Sequence, residues 1–352
     1  MGGTNPPNTS RPLNRGGGHR NRFRRIFSPI VLSLAVILLC LFLSRRVLYD
    51  LYTLASLPIK WPQHARDFYI SPAGDDFDLT FQNYSTAQLS AKEETGRSYY
   101  QDKVPAILHH ISLGSGAATN TKWMQVRQSC LDIHQGWKAY MWTDETADAF
   151  VEKEYPELWE LWKSGYKYPI QKIDALRYMV LYKHGGVILD MDLQCKRGLG
   201  PLRRFGFVAP AAHPTGFSIG FMMASRGNEF VGELVGNLKR YNRGWMGLPY
   251  PTVMFSTGCH YASTIHALQS NRTELKILSG TRENPRMHSL NGAVSTPIFN
   301  HLGSSSWHSY DAALIVSVGK AHAWRLPLMM IAGSLVSFVF IRRFRRRRLL
   351  KL

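Results

Sequence analysis

Two long apolar runs bracket the chain, and between them apolar residues recur at strand and helix periods. From Ile26 to Leu43 only Ser28, Pro29 and Ser33 interrupt the first run, which is long enough to cross a bilayer as a helix. Ser44-Arg45-Arg46 beyond it is a poor processing site, so the run predicts an uncleaved signal anchor over residues 26–43. The second run, Leu326 to Ile341, is short for a span, but Arg325 can snorkel and let a helix begin near Ala321, giving a second transmembrane helix over 321–341.

The core begins at Val104–Ile111, a β-branched apolar strand, followed by a Gly/Ser loop and a helical pattern at Trp123, Val126 and Cys130. Trp137–Trp142 reads as a second strand, with Thr143-Asp144 capping an acidic helix. Pro169 suits a first helical turn, Ile173, Leu176 and Val180 share one helix face, Gly185-Gly186 make a tight turn, and Val187-Ile188-Leu189 is a buried strand. This alternation predicts an α/β sandwich with a mainly parallel central sheet, placed at residues 104–320. Residues 44–103, polar with scattered aromatics and no sustained periodicity, read as a lumenal stem, and no internal repeat is found.

The formal charge of +19 over 352 residues would point to nucleic acid if it were spread through the domain, but it sits at the ends. Residues 1–25 carry six arginines and residues 342–352 carry six arginines and Lys351, with no acid in either, leaving +6 for the rest. Basic runs abutting apolar spans are topology signals, so no nucleic-acid partner is expected; both termini, including a disordered tail over 1–25, are placed in the cytosol and the domain in the lumen. Cys40 lies in the first span, so Cys130, Cys195 and Cys259 are left in a compartment that permits disulfides, where an odd count leaves one thiol unpaired or all three free. Asn83-Tyr84-Ser85 and Asn271-Arg272-Thr273 are glycosylation acceptors consistent with that topology.

Chemistry concentrates after the third strand. Asp190 and Asp192, two apart in an extended segment, would present both carboxylates to one side at the carboxyl end of a strand, where open α/β sheets bind ligands. Paired carboxylates suit a hard divalent cation, which can bridge to a diphosphate and act as a Lewis acid on a departing nucleotide. The spacing alone is weak, since Asp76-Phe77-Asp78 repeats it in what reads as a solvated loop. Asp174 and Arg177, three apart on the preceding helix, supply the context: an arginine can grip phosphate and an aspartate can accept from sugar hydroxyls. Trp137, Trp142, Trp159 and Trp162 fit core packing better than sugar platforms, and His109, His110 and His301 read as structural or loop residues.

Lys172-Ile173-Asp174-Ala175-Leu176-Arg177-Tyr178, with His184-Gly185-Gly186-Val187 and Leu189-Asp190-Met191-Asp192, resembles the DXD sugar-binding region of glycosyltransferase family 32. Pro105–His110 and Trp142-Thr143-Asp144 are similar to the family's first two strands, and Leu248–Gly258 and Gly303–His308 resemble stretches of fungal inositol phosphoceramide mannosyltransferases. The resemblance implies a GT-A fold, a GDP-mannose donor, Mn²⁺ (or Mg²⁺) held by Asp190 and Asp192 with His308 as a further candidate ligand, and retention of anomeric configuration. It implies donor contacts from Asp174, Arg177, Gly185, Gly186 and Trp142. Phe217-Ser218-Ile219-Gly220 departs from the Asn-Asp pair that relatives often carry after the central glycine. The expectation is a multi-pass Golgi enzyme that mannosylates a lipid acceptor, inositol phosphoceramide, with room for a regulatory membrane subunit. The rivals are an α-mannosyltransferase that extends N-linked glycans and a non-catalytic membrane partner of an active enzyme.

Overall fold

The computed structural model describes residues 2–3, 18–84, 100–114, 120–245, 247–303, 311–312 and 333–334. His308, the C-terminal basic tail, residues 4–17 of the N-terminal tail and, apart from Gly333 and Ser334, the expected second span lie outside the described residues, whereas residues 18–25, expected to belong to a disordered tail, are helical. The chain divides into two units, Met1–Tyr52 and Thr53–Leu352.

The first unit is helical. Helix α1, Gly18–Lys60, begins in it and runs on into the second unit. Its apolar stretch is long enough to cross a membrane, with a mean hydropathy of 2.2 and no burial. A helix of 43 residues is about 65 Å long, twice the hydrocarbon thickness of a bilayer. Helix therefore continues well past Leu43, where the sequence placed the end of the anchor.

The second unit is a six-stranded sheet with helices and loops on both faces. Its strands are β1 (Ile107–Ile111), β2 (Lys138–Trp142), β3 (Gly186–Leu189), β5 (Phe207–Pro210), β6 (Phe221–Ala224) and β7 (Leu275–Leu278), in the order β2-β1-β3-β6-β5-β7. All run parallel except β6, which is antiparallel to both its neighbours. The expected mainly parallel sheet is thus present. Successive strand residues serve opposite cores: Val187 and Leu189 belong to one and Ile188 to the other, as do Val208 and its neighbours Phe207 and Ala209, which is why these strands read as unbroken apolar runs. A small antiparallel sheet joins β4 (Leu193–Cys195), β8 (Val294–Ser295) and β9 (Phe299–His301) in the order β4-β9-β8.

The helices after α1 are α2 (Ala65–Phe68), α3 (Pro72–Asp75), α4 (Thr121–Ile133), α5 (Asp144–Glu154), α6 (Pro169–His184), α7 (Glu229–Tyr241), α8 (Pro249–Ser256) and α9 (Cys259–Leu268). Helix α5 starts on the expected Thr143 cap, and α6 starts at Pro169, with Gln171 accepting from the backbone N–H groups of Lys167 and Tyr168. Trp137, Trp142 and Trp162 are buried and Trp159 packs against the core, as their spacing implied.

Residues 53–84 are not a stem. Leu54, Leu57, Trp61, Phe68, Ile70, Phe77, Leu79 and Phe81 are all buried in the domain's two cores, and the Ile70 N–H donates to the Ile277 carbonyl at 3.0 Å, covering the outer edge of β7. The segment showed no sustained period because it is broken into the end of α1, two single-turn helices and turns; its scattered aromatics were the signal of burial. Within it Phe77 is buried and Asp78 accepts from Thr80 and Asn83, so Asp76-Phe77-Asp78 is a docked turn, not a solvated loop. Asn83 and Asn271 are exposed, as glycosylation requires.

Cys130 of α4 is bonded to Cys195 of β4, the strand that follows the acidic pair, and Cys259 is free. The bond closes a loop spanning 65 positions of sequence, for which chain entropy gives about 4 kcal/mol of stabilisation. The double variant Cys130→Ser/Cys195→Ser should lose stability of that order in denaturant titration, whereas Cys259→Ser should not.

Candidate active site

Strand β3 runs from the Gly185-Gly186 turn to Leu189, and Asp190 follows at its carboxyl end. Burial of Val187, Ile188 and Leu189 on both faces fixes the strand's register, and the Asp190 N–H donates to the Gly220 carbonyl at 2.8 Å, extending the β3–β6 pairing by one residue. The chain then turns: the Leu193 N–H donates back to the Asp190 carbonyl at 3.0 Å. Asp190 and Asp192 are therefore displayed by a tight turn and not by the extended segment that the sequence suggested. They remain electrostatic neighbours, the charge of Asp192 being among the causes that raise the pKa of Asp190.

Each carboxylate has its own support. Arg177, 5 % exposed, donates through Nη1 to Asp190 Oδ1 and, at 3.2 Å, to the Ile219 carbonyl. Its Nε lies 3.6 Å from Asp174 Oδ1, and Asp174 Oδ2 accepts from the Thr257 hydroxyl at 3.1 Å. Asp192 Oδ2 lies 3.3 Å from His301 Nε2, because β9 pairs with β4 in a register that sets His301 opposite Leu193. The Leu302 N–H donates to the Asp192 carbonyl at 3.0 Å, closing the turn from the other side.

Burial dominates the electrostatics. It pushes the Asp174 carboxyl up to about 7 against the opposing pull of Arg177 and Thr257. It also raises Asp190, again against Arg177. For His301, burial works against protonation, but the hydrogen bond and charge of Asp192 and the charge of Asp190 outweigh it, and its pKa is raised.

Among the described residues no group of three His, Cys, Asp or Glu side chains is gathered to hold a metal ion. Two carboxylates are what the turn offers. That set fits a hard cation which completes its shell with phosphate oxygens and water, as Mg²⁺ and Mn²⁺ do in nucleotide sites. Space beside Asp190 is kept by Gly220, where an added Cβ would stand 2.7 Å from Asp190 Oδ2. The departing segment Phe217–Gly220 thus lies directly against the acidic turn.

Other expected site residues are placed differently. Gly185 and Gly186, with φ of +65° and +99°, sit at the amino end of β3, about 13 Å along the strand from Asp190. Side chains there would meet the Arg226 N at 2.7 Å and the Ile107 carbonyl at 2.7 Å. These glycines serve a crowded turn rather than a donor. The Trp142 ring is 8 % exposed and packs on Phe150 and His184 while its Nε1 donates to His109 Nδ1 at 3.3 Å, so it is occupied in the core. Asp174 and Arg177, three apart on α6 as expected, are buried, and Arg177 bonds Asp190. His301, expected to be structural, is at the site; its only signal lay in a long-range strand pairing that local periodicity does not carry.

Residues 120–206 match the family described as glycosyltransferase sugar-binding region containing DXD motif, a span that includes Asp174, Arg177, Asp190 and Asp192. The mannosyl phosphorylinositol ceramide synthase SUR1 of Saccharomyces cerevisiae is 36% identical over 244 residues, 68% of this chain and 59% of that protein. CSH1 of the same yeast, another mannosyl phosphorylinositol ceramide synthase, is 31% identical, over 64% of this chain and 59% of that protein. The chain therefore spans less than two thirds of either. The inositol phosphoceramide mannosyltransferase 1 of Schizosaccharomyces pombe is 29% identical over 75% of this chain and 81% of that protein. A solved structure, the PaToxG glycosyltransferase, is 14% identical and overlaps 46% of this chain and 69% of its own with a TM-score of 0.34. Residues 120–206 thus match the DXD-containing glycosyltransferase sugar-binding region, within a chain similar along most of its length to yeast inositol phosphoceramide mannosyltransferases.

Proposed function

We propose that this chain is a membrane-anchored mannosyltransferase that moves mannose from GDP-mannose to the inositol of an inositol phosphoceramide, with retention of configuration, on the lumenal face of the Golgi. The observation that carries this reading is the Asp190–Asp192 turn, held by Arg177 and His301 at the carboxyl edge of the sheet, in a chain whose relatives are named for that reaction.

Asp190 and Asp192 would hold Mn²⁺ (or Mg²⁺) together with the donor diphosphate. Once bound, the cation supplies Lewis-acid stabilisation of the charge on the departing nucleotide. Arg177 and Asp174, 5 % and 4 % exposed, form the buried support of Asp190 and would meet the donor sugar only through the small part of each that stays exposed. His301 orients Asp192 by hydrogen bonding, as residues behind a metal ligand commonly do. The apolar stretch of α1 supports a membrane location. A second span over 321–341 would keep the site near the leaflet that carries the acceptor, and His308, a short distance before it, remains a candidate ligand. The Cys130–Cys195 bond and the exposed acceptors Asn83 and Asn271 are consistent with a lumenal domain.

The acceptor is tested by offering membranes that contain the chain both inositol phosphoceramide and a mannan oligosaccharide. Mannosylated sphingolipid is the expected product; turnover on the oligosaccharide alone would replace the acceptor, and turnover on neither would favour a non-catalytic partner subunit.

A further inference from the structure

The segment Leu248–Gly258, which resembles the mannosyltransferases but contributes no group to the acidic turn, lies immediately behind it. We infer that helix α8 is a strut whose C-cap residue Thr257 is a positioning residue, holding Asp174 so that Arg177 stays on Asp190; this deepens the metal and donor reading above and rests on it.

Both ends of the strut are fixed by distant residues. Leu248 offers no side-chain cap, and Pro249 occupies the first helical position. The Tyr250 N–H donates instead to Asp311 Oδ2 at 2.7 Å, a carboxylate 1 % exposed, supplying the acceptor that a helix start needs and the favourable negative charge there. Asp311 lies ten positions before the expected span over 321–341. At the other end α8 is clamped to α6. Gln171 Nε2 donates to Ser256 Oγ at 2.8 Å, Tyr178 Oη donates to the Thr257 carbonyl at 2.5 Å, and Thr257 Oγ1 donates to Asp174 Oδ2 at 3.1 Å. Thr257 is fully buried, and its hydroxyl has two acceptors, the nearer Asp174 Oδ2 at 3.1 Å and the Val253 carbonyl at 3.5 Å, with no water to compete.

The consequence follows from competition. Asp174 and Asp190 are two buried carboxylates facing one guanidinium. Thr257 satisfies one oxygen of Asp174, and Arg177 is left at 3.6 Å from the other, an ionic contact longer than a hydrogen bond, while it bonds Asp190 directly. Without the hydroxyl, Asp174 lacks a donor in a site where an unmet carboxylate is costly. Arg177 then shifts toward Asp174 and releases Asp190, which loosens the acidic turn.

The test uses the full chain in detergent and follows Mn²⁺ binding by calorimetry beside mannosyl transfer. Thr257→Val should weaken Mn²⁺ binding by about tenfold, as loss of support behind a metal ligand does, and lower transfer in step, while Thr257→Ser should stay within about twofold of the parent. In an Asp174→Asn background the Thr257→Val change should add nothing, because its effect runs through Asp174. Equal Mn²⁺ affinity in Thr257→Val and parent, or additive losses in that background, would overturn the inference, as would a parent that binds no Mn²⁺. A parent that binds Mn²⁺ with this dependence yet transfers no mannose would leave the strut standing and remove the donor and acceptor reading. If Thr257→Val does not fold, Asp311→Asn, at the far end of α8, should weaken Mn²⁺ binding in the same direction, and an unchanged affinity there counts against the strut.

Discussion

Exchanging Arg177 for methionine is expected to cost the domain about 3 to 5 kcal/mol and to cut transfer by about 10- to 100-fold in the fraction that still folds. The guanidinium is the cation between two buried carboxylates and also binds the Ile219 carbonyl. Methionine fills the arginine's aliphatic stem but stops short of the guanidinium, so Asp174 and Asp190 are both left without the counter-ion that folding had supplied. Domains are stable by only about 5 to 15 kcal/mol, so this one change removes a large share. Arg177→Lys should fall between, since an ammonium keeps the charge but cannot reach Asp190, Asp174 and Ile219 from one planar group. Denaturant titration beside transfer assays decides it; a methionine variant as stable and active as the parent would mean that the buried cluster does not hold the acidic turn.

Acid should unfold the domain well above the pH at which its carboxylates titrate. Burial lowers five histidines: His109, His134 and His288 to about 4, and His110 and His266 to about 3. Burial outweighs the hydrogen bonds that four of them make to the backbone carbonyls of Gly185, Cys130, Leu79 and Leu275; His109 and His134 also accept, from Trp142 Nε1 and the Leu199 N–H, which holds them neutral, and both ring nitrogens of His110 are without a partner among the described residues. The folded pKa values lie below the unfolded value near 6.5, so the unfolded chain binds more protons as pH falls. Stability is therefore full above about pH 6.5 and is lost progressively below it. At pH 5 each histidine contributes a loss of about 2 kcal/mol, on the order of 10 kcal/mol together. Asp174 works the other way. Its folded pKa of about 7 is raised above the ordinary value of 3.8, so it returns roughly 2 to 3 kcal/mol between pH 7 and pH 5. The net loss approaches the whole stability of a domain, and a far-ultraviolet circular dichroism titration should show a cooperative transition between about pH 6 and 4.5. A fold intact at pH 4 would contradict these burials.

What the sequence disclosed follows from which forces are local. The order of β1, β2 and β3, the cap at Thr143, the start of α6 at Pro169 and the packing of the tryptophans all rest on spacing and propensity, and they are where the residues placed them. The acidic pair at the end of β3 was legible for the same reason. Whatever depended on distant contacts was not. The reversal of β6, the register that brings His301 to Asp192, the choice of Cys195 as partner of Cys130 and the docking of residues 53–84 along β7 each join segments far apart in sequence. Gly185 and Gly186 misled because a double glycine beside a ligand motif looks like close approach to a ligand, whereas here it is close approach to Arg226 and Ile107. Asp190 and Asp192 misled more subtly: a spacing of two implies one face only while the chain is extended, and the strand ends one residue earlier, at Leu189.

The most direct test of the central claim is transfer of labelled mannose from GDP-mannose to inositol phosphoceramide by membranes containing this chain, with Mn²⁺ and with chelator, beside Asp192→Ala. Metal-dependent transfer by the parent, abolished by chelator and by the substitution, is the expected result. Transfer that survives both chelation and the loss of Asp192 would contradict the assignment of chemistry to the acidic turn.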